Sequence, residues 1–398
     1  MIETSEHQER VILLGVELPD TENFEMSMEE LASLAKTAGA EVISSYRQKR
    51  EKYDSKSLIG SGKLAEIKAI VDADEIDTVI VNDRLTPRQN VNLESELGVK
   101  VIDRMQLILD IFAMRARSHE GKLQVHLAQL KYMLPRLVGQ GVMLSRQAGG
   151  IGSRGPGESQ LELNRRSIRN QIADIERQLK VVEKNRETGR EKRTESQVFK
   201  IGLIGYTNAG KSTIMNVLTN DKQYEADELF ATLDATTKQI YLQNQFQVTL
   251  TDTVGFIQNL PTELVAAFKS TLEESRHVDL LLHVIDASDP NHAEHEKVVL
   301  NLLKELDMLD IPRLAVYNKM DVAEHFAATA FPNVRISARD KEARSLLRRL
   351  IINEIRDTNV DNLMIIPAGQ VPPNPTSLIQ NDNFKAMVET VRGLYDYV

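Results

Sequence analysis

Between residues 10 and 103 the chain alternates short apolar runs with longer stretches of helical period. RVILLGVEL, AEVISSY, DTVIVND and VKVID are rich in β-branched residues and read as strands. SMEELASLAKTAGA, GKLAEIKAIVDA and TPRQNVNLESELG lie between them and read as helices. In the last, Thr86 suits the N-cap, Pro87 the first turn and Gly98 the stop. Such alternation predicts a small, mostly parallel sheet with crossover helices.

The pattern then changes. Leu123, Leu127, Leu130, Leu134 and Leu137 recur at spacings of four and three. Leu161, Ile168, Ile172, Ile175, Leu179 and Val182 follow the same rhythm with one polar gap. Each run is the narrow seam of a helix that packs on another helix, so the pair predicts an antiparallel hairpin. Pro135 is expected to kink or end the first helix, leaving a glycine-rich loop from Val138 to Glu158. EKNRETGREKRTESQ is wholly polar and reads as a frayed helix end or linker. From Phe199 to about Asp357 strand and helix signals alternate again. The tail offers a strand candidate, NLMIIP, a proline-rich link and the amphipathic FKAMVETVRGLYDYV. The division expected is 1–104, 105–195, 196–358 and a small C-terminal part, 359–398.

Charge sharpens this division. The chain carries a net −9, yet residues 104–200 hold 19 Lys and Arg against 10 Asp and Glu. An acidic protein with one basic third presents one basic face to a polyanion, although a solvated helix surface has the same composition. With no cysteine there is neither a disulfide framework nor a thiolate metal site. No apolar stretch is long enough to cross a bilayer, and MIETSEHQER is not a secretory signal. A cytoplasmic chain, monomeric when free, is the expectation.

The chemistry is carried by KIGLIGYTNAGKST, where Gly205 to Ser212 spell G-x-x-x-x-G-K-S between an apolar strand and a helix. Gly205, Tyr206, Thr207, Asn208, Ala209 and Gly210 would wrap backbone N–H groups around the β-phosphate, with Thr213 in the helix that follows. Lys211 reaches the β- and γ-oxygens, and Ser212 offers its hydroxyl to Mg²⁺. LTDTVG places Asp252 to hold Mg²⁺ through water, and Thr253, Val254 and Gly255 to meet the γ-phosphate. In LAVYNKMD, Asn318, Lys319, Met320 and Asp321 end another strand, and a carboxylate there accepts both N1–H and N2–H of guanine. Ser337, Ala338 and Arg339 of VRISAR supply a backbone contact to the guanine oxygen. ELFATLDATT should sense the γ-phosphate. It includes Phe230, Ala231, Leu233 and Asp234, and Thr232, Thr236 or Thr237 as the Mg²⁺ ligand. Order and context imply a P-loop GTPase domain that binds GTP and GDP.

One catalytic part is missing. Where Ras-like GTPases place a water-orienting glutamine after the D-x-x-G glycine, this chain has Phe256. Intrinsic hydrolysis should be slow and completed by a partner; Gln258 is a weaker stand-in. In potassium-activated GTPases an asparagine at the place of Asn208 helps hold K⁺; the alternative role is bracing the loop.

GYTNAGKST, ELFATLD, DTVGFIQNLPTELVAAFKSTLEE and NKMD, preceded by GGIGSRGPGESQLELNRR, resemble the HflX family of bacterial ribosome-associated GTPases over roughly residues 10–357. The resemblance implies an α/β N-terminal domain, a helical hairpin and a GTPase domain, with Thr232 as the Mg²⁺ ligand. It also implies binding to the large ribosomal subunit near the peptidyl-transferase centre and splitting of 70S particles, especially under stress. Arg146 and Arg154 of the glycine loop, with Arg165, Arg166 and Arg169, would then contact rRNA phosphates and bases. The alternative is that this loop folds back on the GTPase domain. LIGSGKLAEI, from Leu58 to Ile67, has the wrong spacing for a phosphate loop and reads as a turn and helix start rather than an ATP site. A GTPase acting in ribosome assembly or RNA modification is the competing function.

Overall fold

A computed structural model describes residues 8–146, 156–194, 198–219, 229–230, 236–242, 247–258, 275–324, 326–330 and 332–356. The tail, Arg154, Ala231, Thr232, Leu233 and Asp234 lie outside the described residues, as does the side chain of Arg146.

Four parallel strands, β1 (Arg10–Glu17), β2 (Glu41–Lys49), β3 (Thr78–Val81) and β4 (Lys100–Asp103), form the first sheet in the order β2-β1-β3-β4. The crossovers are α1 (Phe24–Thr37), α2 (Ser61–Ala73) and α3 (Pro87–Leu97). Thr86 and Gln89 close a capping box on α3, and Gly98 ends it at a φ of 74°, as the sequence predicts. The LIGSGK segment is the turn into α2.

A fourth helix, α4 (Arg104–Arg115), begins directly after β4 and belongs to this core. Its Met105, Ile108, Ile111 and Phe112 pack with Leu31, Leu34 and Ala35 of α1. Asp103 is fully buried where β4 becomes α4. Its carboxylate accepts from the N–H groups of Leu85 and Gln106, from the Tyr132 hydroxyl at 2.6 Å and from Arg136 at 2.7 Å. Tyr132 and Arg136 belong to α5 (His119–Arg146), so one carboxylate fastens that helix to the sheet.

The hairpin pairs α5 with α6 (Pro156–Thr194) along the expected seam of Leu123, Leu127, Leu130, Ile168, Ile172, Ile175 and Leu179. Two expectations are corrected. Pro135 does not end α5, which runs on to Arg146, and the glycine loop is shorter than 138–158 because both its flanks are helical. Proline removes one N–H, and a helix already held by packing over the turns before it tolerates that loss. The polar run after Val182 likewise continues as helix to Thr194.

The second sheet has the order β10-β9-β8-β5-β7-β6. Its strands are β5 (Phe199–Gly205), β6 (Thr236–Tyr241), β7 (Gln247–Asp252), β8 (Leu280–Asp286), β9 (Arg313–Asn318) and β10 (Asn333–Arg335). Only the β6–β7 pair is antiparallel. Helices α7 (Lys211–Thr219) and α9 (Ala343–Arg356) cover one face, and α8 (His292–Glu305) covers the other. In open α/β sheets the crevice beyond the carboxyl ends of the strands is where ligands bind, and β5, β7, β8 and β9 all end there.

Candidate guanine-nucleotide site

The phosphate loop leaves β5 at Gly205, whose φ is 152°. A Cβ there would lie 2.2 Å from the carbonyl oxygen of Val284, so no side chain fits. Asn208 and Gly210 also take positive φ, 59° and 94°, and the turn closes onto the N-terminus of α7. Lys211 is buried there and donates to the carbonyls of Gly205 and Tyr206 at 3.1 and 2.8 Å. Burial pushes its pKa down to about 8, against the opposing pull of Asp252. An ammonium so placed gains its full charge from incoming phosphate oxygens.

Ser212 donates to Asp252 at 2.8 Å. A hydroxyl and a carboxylate this close fit a hard cation that takes its remaining ligands from phosphate and water. Among the described residues no group of three or more His, Cys, Asp or Glu could hold a metal by itself. Thr237 bonds instead to Thr251 across the β6–β7 pair, at 3.0 Å, and Thr236 opens β6.

On the base side, Asn318 donates to the carbonyl of Ala209 and accepts from the Ala338 N–H, both at 3.0 Å. It thereby ties the N-K-M-D segment, the phosphate loop and the Ser337–Arg339 turn into one frame. Lys319, at a φ of 60°, pairs with Asp286 at 2.6 Å, and the Met320 N–H donates to Ile336. Asp321 is exposed at the rim of a cleft of about 380 Å³ that Asn208, Thr213 and Arg339 also line. The carboxylate is free to meet a guanine edge.

Phe256 does not face this cleft. It is 2% exposed and packs with Ile204, Tyr206, Leu281 and Val299 in the core under α8. Its backbone pairs with the phosphate loop: Phe256 N–H donates to Gly205 O at 3.1 Å and Thr207 N–H to Phe256 O at 2.7 Å.

What the sequence does not disclose is a contact from the N-terminal domain. Glu30 of α1 and Arg104 of α4 form a buried ion pair at 2.8 Å. Glu30 also accepts from the Tyr206 hydroxyl at 2.8 Å, and Arg104 donates to the Gln258 carbonyl at 3.0 Å. The Tyr206 hydroxyl accepts from the Gln258 N–H at 2.7 Å, and its ring stacks on His295 with centroids 3.8 Å apart. Burial first, then the Glu30 carboxylate, raises the Tyr206 pKa far above the phenolic range, so this hydroxyl stays protonated. Nearby, the Leu229 N–H donates to Thr37, and Phe230 meets Phe112 edge-on at 4.5 Å. Of the rRNA candidates, Arg166 and Arg169 are exposed and Arg165 is half-buried. Arg165 and Arg169 reach Glu162 only at 3.8 and 3.9 Å.

Fold and site together define a P-loop GTPase, a GTP-hydrolysing enzyme with a guanine-selective cleft. Three family models match in succession. They are GTP-binding GTPase N-terminal (residues 25–113), GTP-binding GTPase Middle Region (115–193) and 50S ribosome-binding GTPase (200–319). The GTPase HflX of Caldanaerobacter subterraneus subsp. tengcongensis is 50% identical over 90% of this chain and 84% of its own length. That of Escherichia coli K12 is 47% identical over 80% and 74%. The chain belongs to the HflX family. Among solved structures, the SsGBP–GDP complex shares 26% identity over 87% of this chain and 98% of its own, with a TM-score of 0.51.

Proposed function

We propose that this GTPase is a Mg²⁺-dependent switch that binds the large ribosomal subunit and splits 70S particles under stress. The observation that carries the reading is the joining of a phosphate loop, within residues matched by a family described as 50S ribosome-binding, to a basic helical hairpin. Ser212 and Thr232 would ligate Mg²⁺, with Asp252 acting through water. Asn208, exposed beside the phosphate loop, is the candidate ligand for K⁺. Arg146, Arg154, Arg165, Arg166 and Arg169 would meet rRNA near the peptidyl-transferase centre. Neutralising phosphates makes such binding steeply salt-dependent.

With Phe256 packed in the core, the side chain that follows Gly255 orients no water, and intrinsic hydrolysis is slow until the ribosome completes the site. GTP orders the Phe230–Asp234 segment and re-seats the loop after Gly255 in a second ordered position, away from Tyr206. The ordered state favours the large subunit, and binding energy separates the particles while hydrolysis resets the factor. Domain divisions at about 195 and 358, with α4 kept in the N-terminal core rather than cut from it at 104, and a cytoplasmic, monomeric free state belong to the same reading. Among the described residues no helix is long and apolar enough to cross a membrane.

Sucrose-gradient sedimentation of intact 70S particles with the protein and a non-hydrolysable GTP analogue tests it. Separated subunits are expected. Particles that stay whole, with the protein held only on precursor subunits, would instead support an assembly factor.

A further inference from the structure

Tyr206 is an unusual occupant of a phosphate loop: a large aromatic whose side chain leaves the nucleotide and enters a domain interface. There it completes a ring of four buried residues. Tyr206 donates to Glu30, Glu30 pairs with Arg104, Arg104 donates to the Gln258 carbonyl, and the Gln258 N–H returns to Tyr206. Two members come from the N-terminal domain and two from the GTPase domain, and none is more than 9% exposed.

The ring holds the D-x-x-G loop down on the phosphate loop. A Cβ built on Gly255 would lie 2.8 Å from Thr207 Cγ2 and 3.0 Å from Lys211 Nζ. In P-loop GTPases the γ-phosphate lies between that lysine and the loop, and here the space between the two would not admit even one added carbon. GDP asks for no such space. Beside this close approach, Thr207 Oγ1 and Gln258 Oε1 are buried with no hydrogen-bond partner among the described residues.

We propose that Tyr206, acting through Glu30 and Arg104, is the specificity-determining residue by which the N-terminal domain sets the preference of the site for GDP over GTP. Admitting a γ-phosphate lifts Gly255 and Phe256 and breaks the two hydrogen bonds to Gln258. The cost falls on GTP alone. By linkage, GTP weakens N-terminal docking by the same factor that docking weakens GTP. The Leu229–Thr37 and Phe230–Phe112 contacts let the same face grip the segment preceding Thr232. This inference rests on the guanine site and is independent of the ribosome reading.

The test is equilibrium binding of GDP and a non-hydrolysable GTP analogue to the full chain, in wild type, Tyr206→Phe, Glu30→Gln and the double variant. Tyr206→Phe should shift the affinity ratio toward the GTP analogue by about tenfold, the equivalent of about 1.4 kcal/mol. Glu30→Gln should shift it the same way, and the double variant no further than Tyr206→Phe alone. Equal changes for both nucleotides, or none, would overturn the proposal. Hydrogen exchange on the wild type gives an answer that needs no variant. The Gln258 amide should be protected with GDP and exposed with the GTP analogue; equal protection in both would refute the idea. Neither measurement contains ribosomes, so failure here leaves the splitting experiment intact.

Discussion

The Asn318 side-chain amide donates to the carbonyl of Ala209 across 3.0 Å, so the guanine-selecting segment and the phosphate loop share a buried hydrogen bond before any nucleotide arrives. The same side chain accepts from Ala338, which makes it a strut between base and phosphate halves of the cleft. Asn318→Ala leaves a buried carbonyl and a backbone N–H unpaired. Each such orphan costs about 1–3 kcal/mol. The folded chain should lose at least about 2 kcal/mol of stability, which urea unfolding would read. A smaller loss would mean that the cleft is preformed without this strut.

Lys211 gives nucleotide binding a pH dependence of definite sign. In the free protein burial holds its pKa down to about 8, and phosphate oxygens raise it again on binding. Below that pH the proton is already present and affinity is level. Above it, binding must take up a proton, and affinity falls by up to about tenfold per pH unit. GDP titrations from pH 6.5 to 9.5 check this; constant affinity to the upper limit would contradict it.

His283, buried on β8, has its pKa pushed down to about 3, by desolvation first and then by Arg313 and Lys211. The unfolded chain binds this proton near pH 6.5 and the folded chain does not. Stability is therefore complete above pH 6.5 and declines as pH falls, by up to about 1.4 kcal/mol per unit. Urea unfolding at pH 7, 6 and 5 should show the slope, and His283→Asn should flatten it, even if that variant is less stable at pH 7.

Much of this was readable from residue order. The α3 cap, the helix–helix seam and the phosphate loop depend on neighbours a few positions apart, and local pattern reports them faithfully. Pro135 misleads because a proline's effect depends on whether packing elsewhere holds the helix, as Leu127 and Ile175 do here. Glu30 and Arg104 were invisible for a stronger reason. They are 74 positions apart, and each looks like an ordinary surface charge until α1 and α4 meet beneath Tyr206. Phe256 was legible as a missing glutamine, but its place in the core under α8 was not.

Asp103 also has a mechanical meaning. By gathering Tyr132 and Arg136 onto the end of β4, it clamps α5 near its middle, and the helix runs on from Arg136 to Arg146. The stretch from Arg136 to Arg146 extends about 15 Å, so tilting it by about 10° at the clamp would swing its end by about 3 Å. The hairpin is thus pinned mid-shaft by a single carboxylate, and a small tilt at that pin is passed on to the tip.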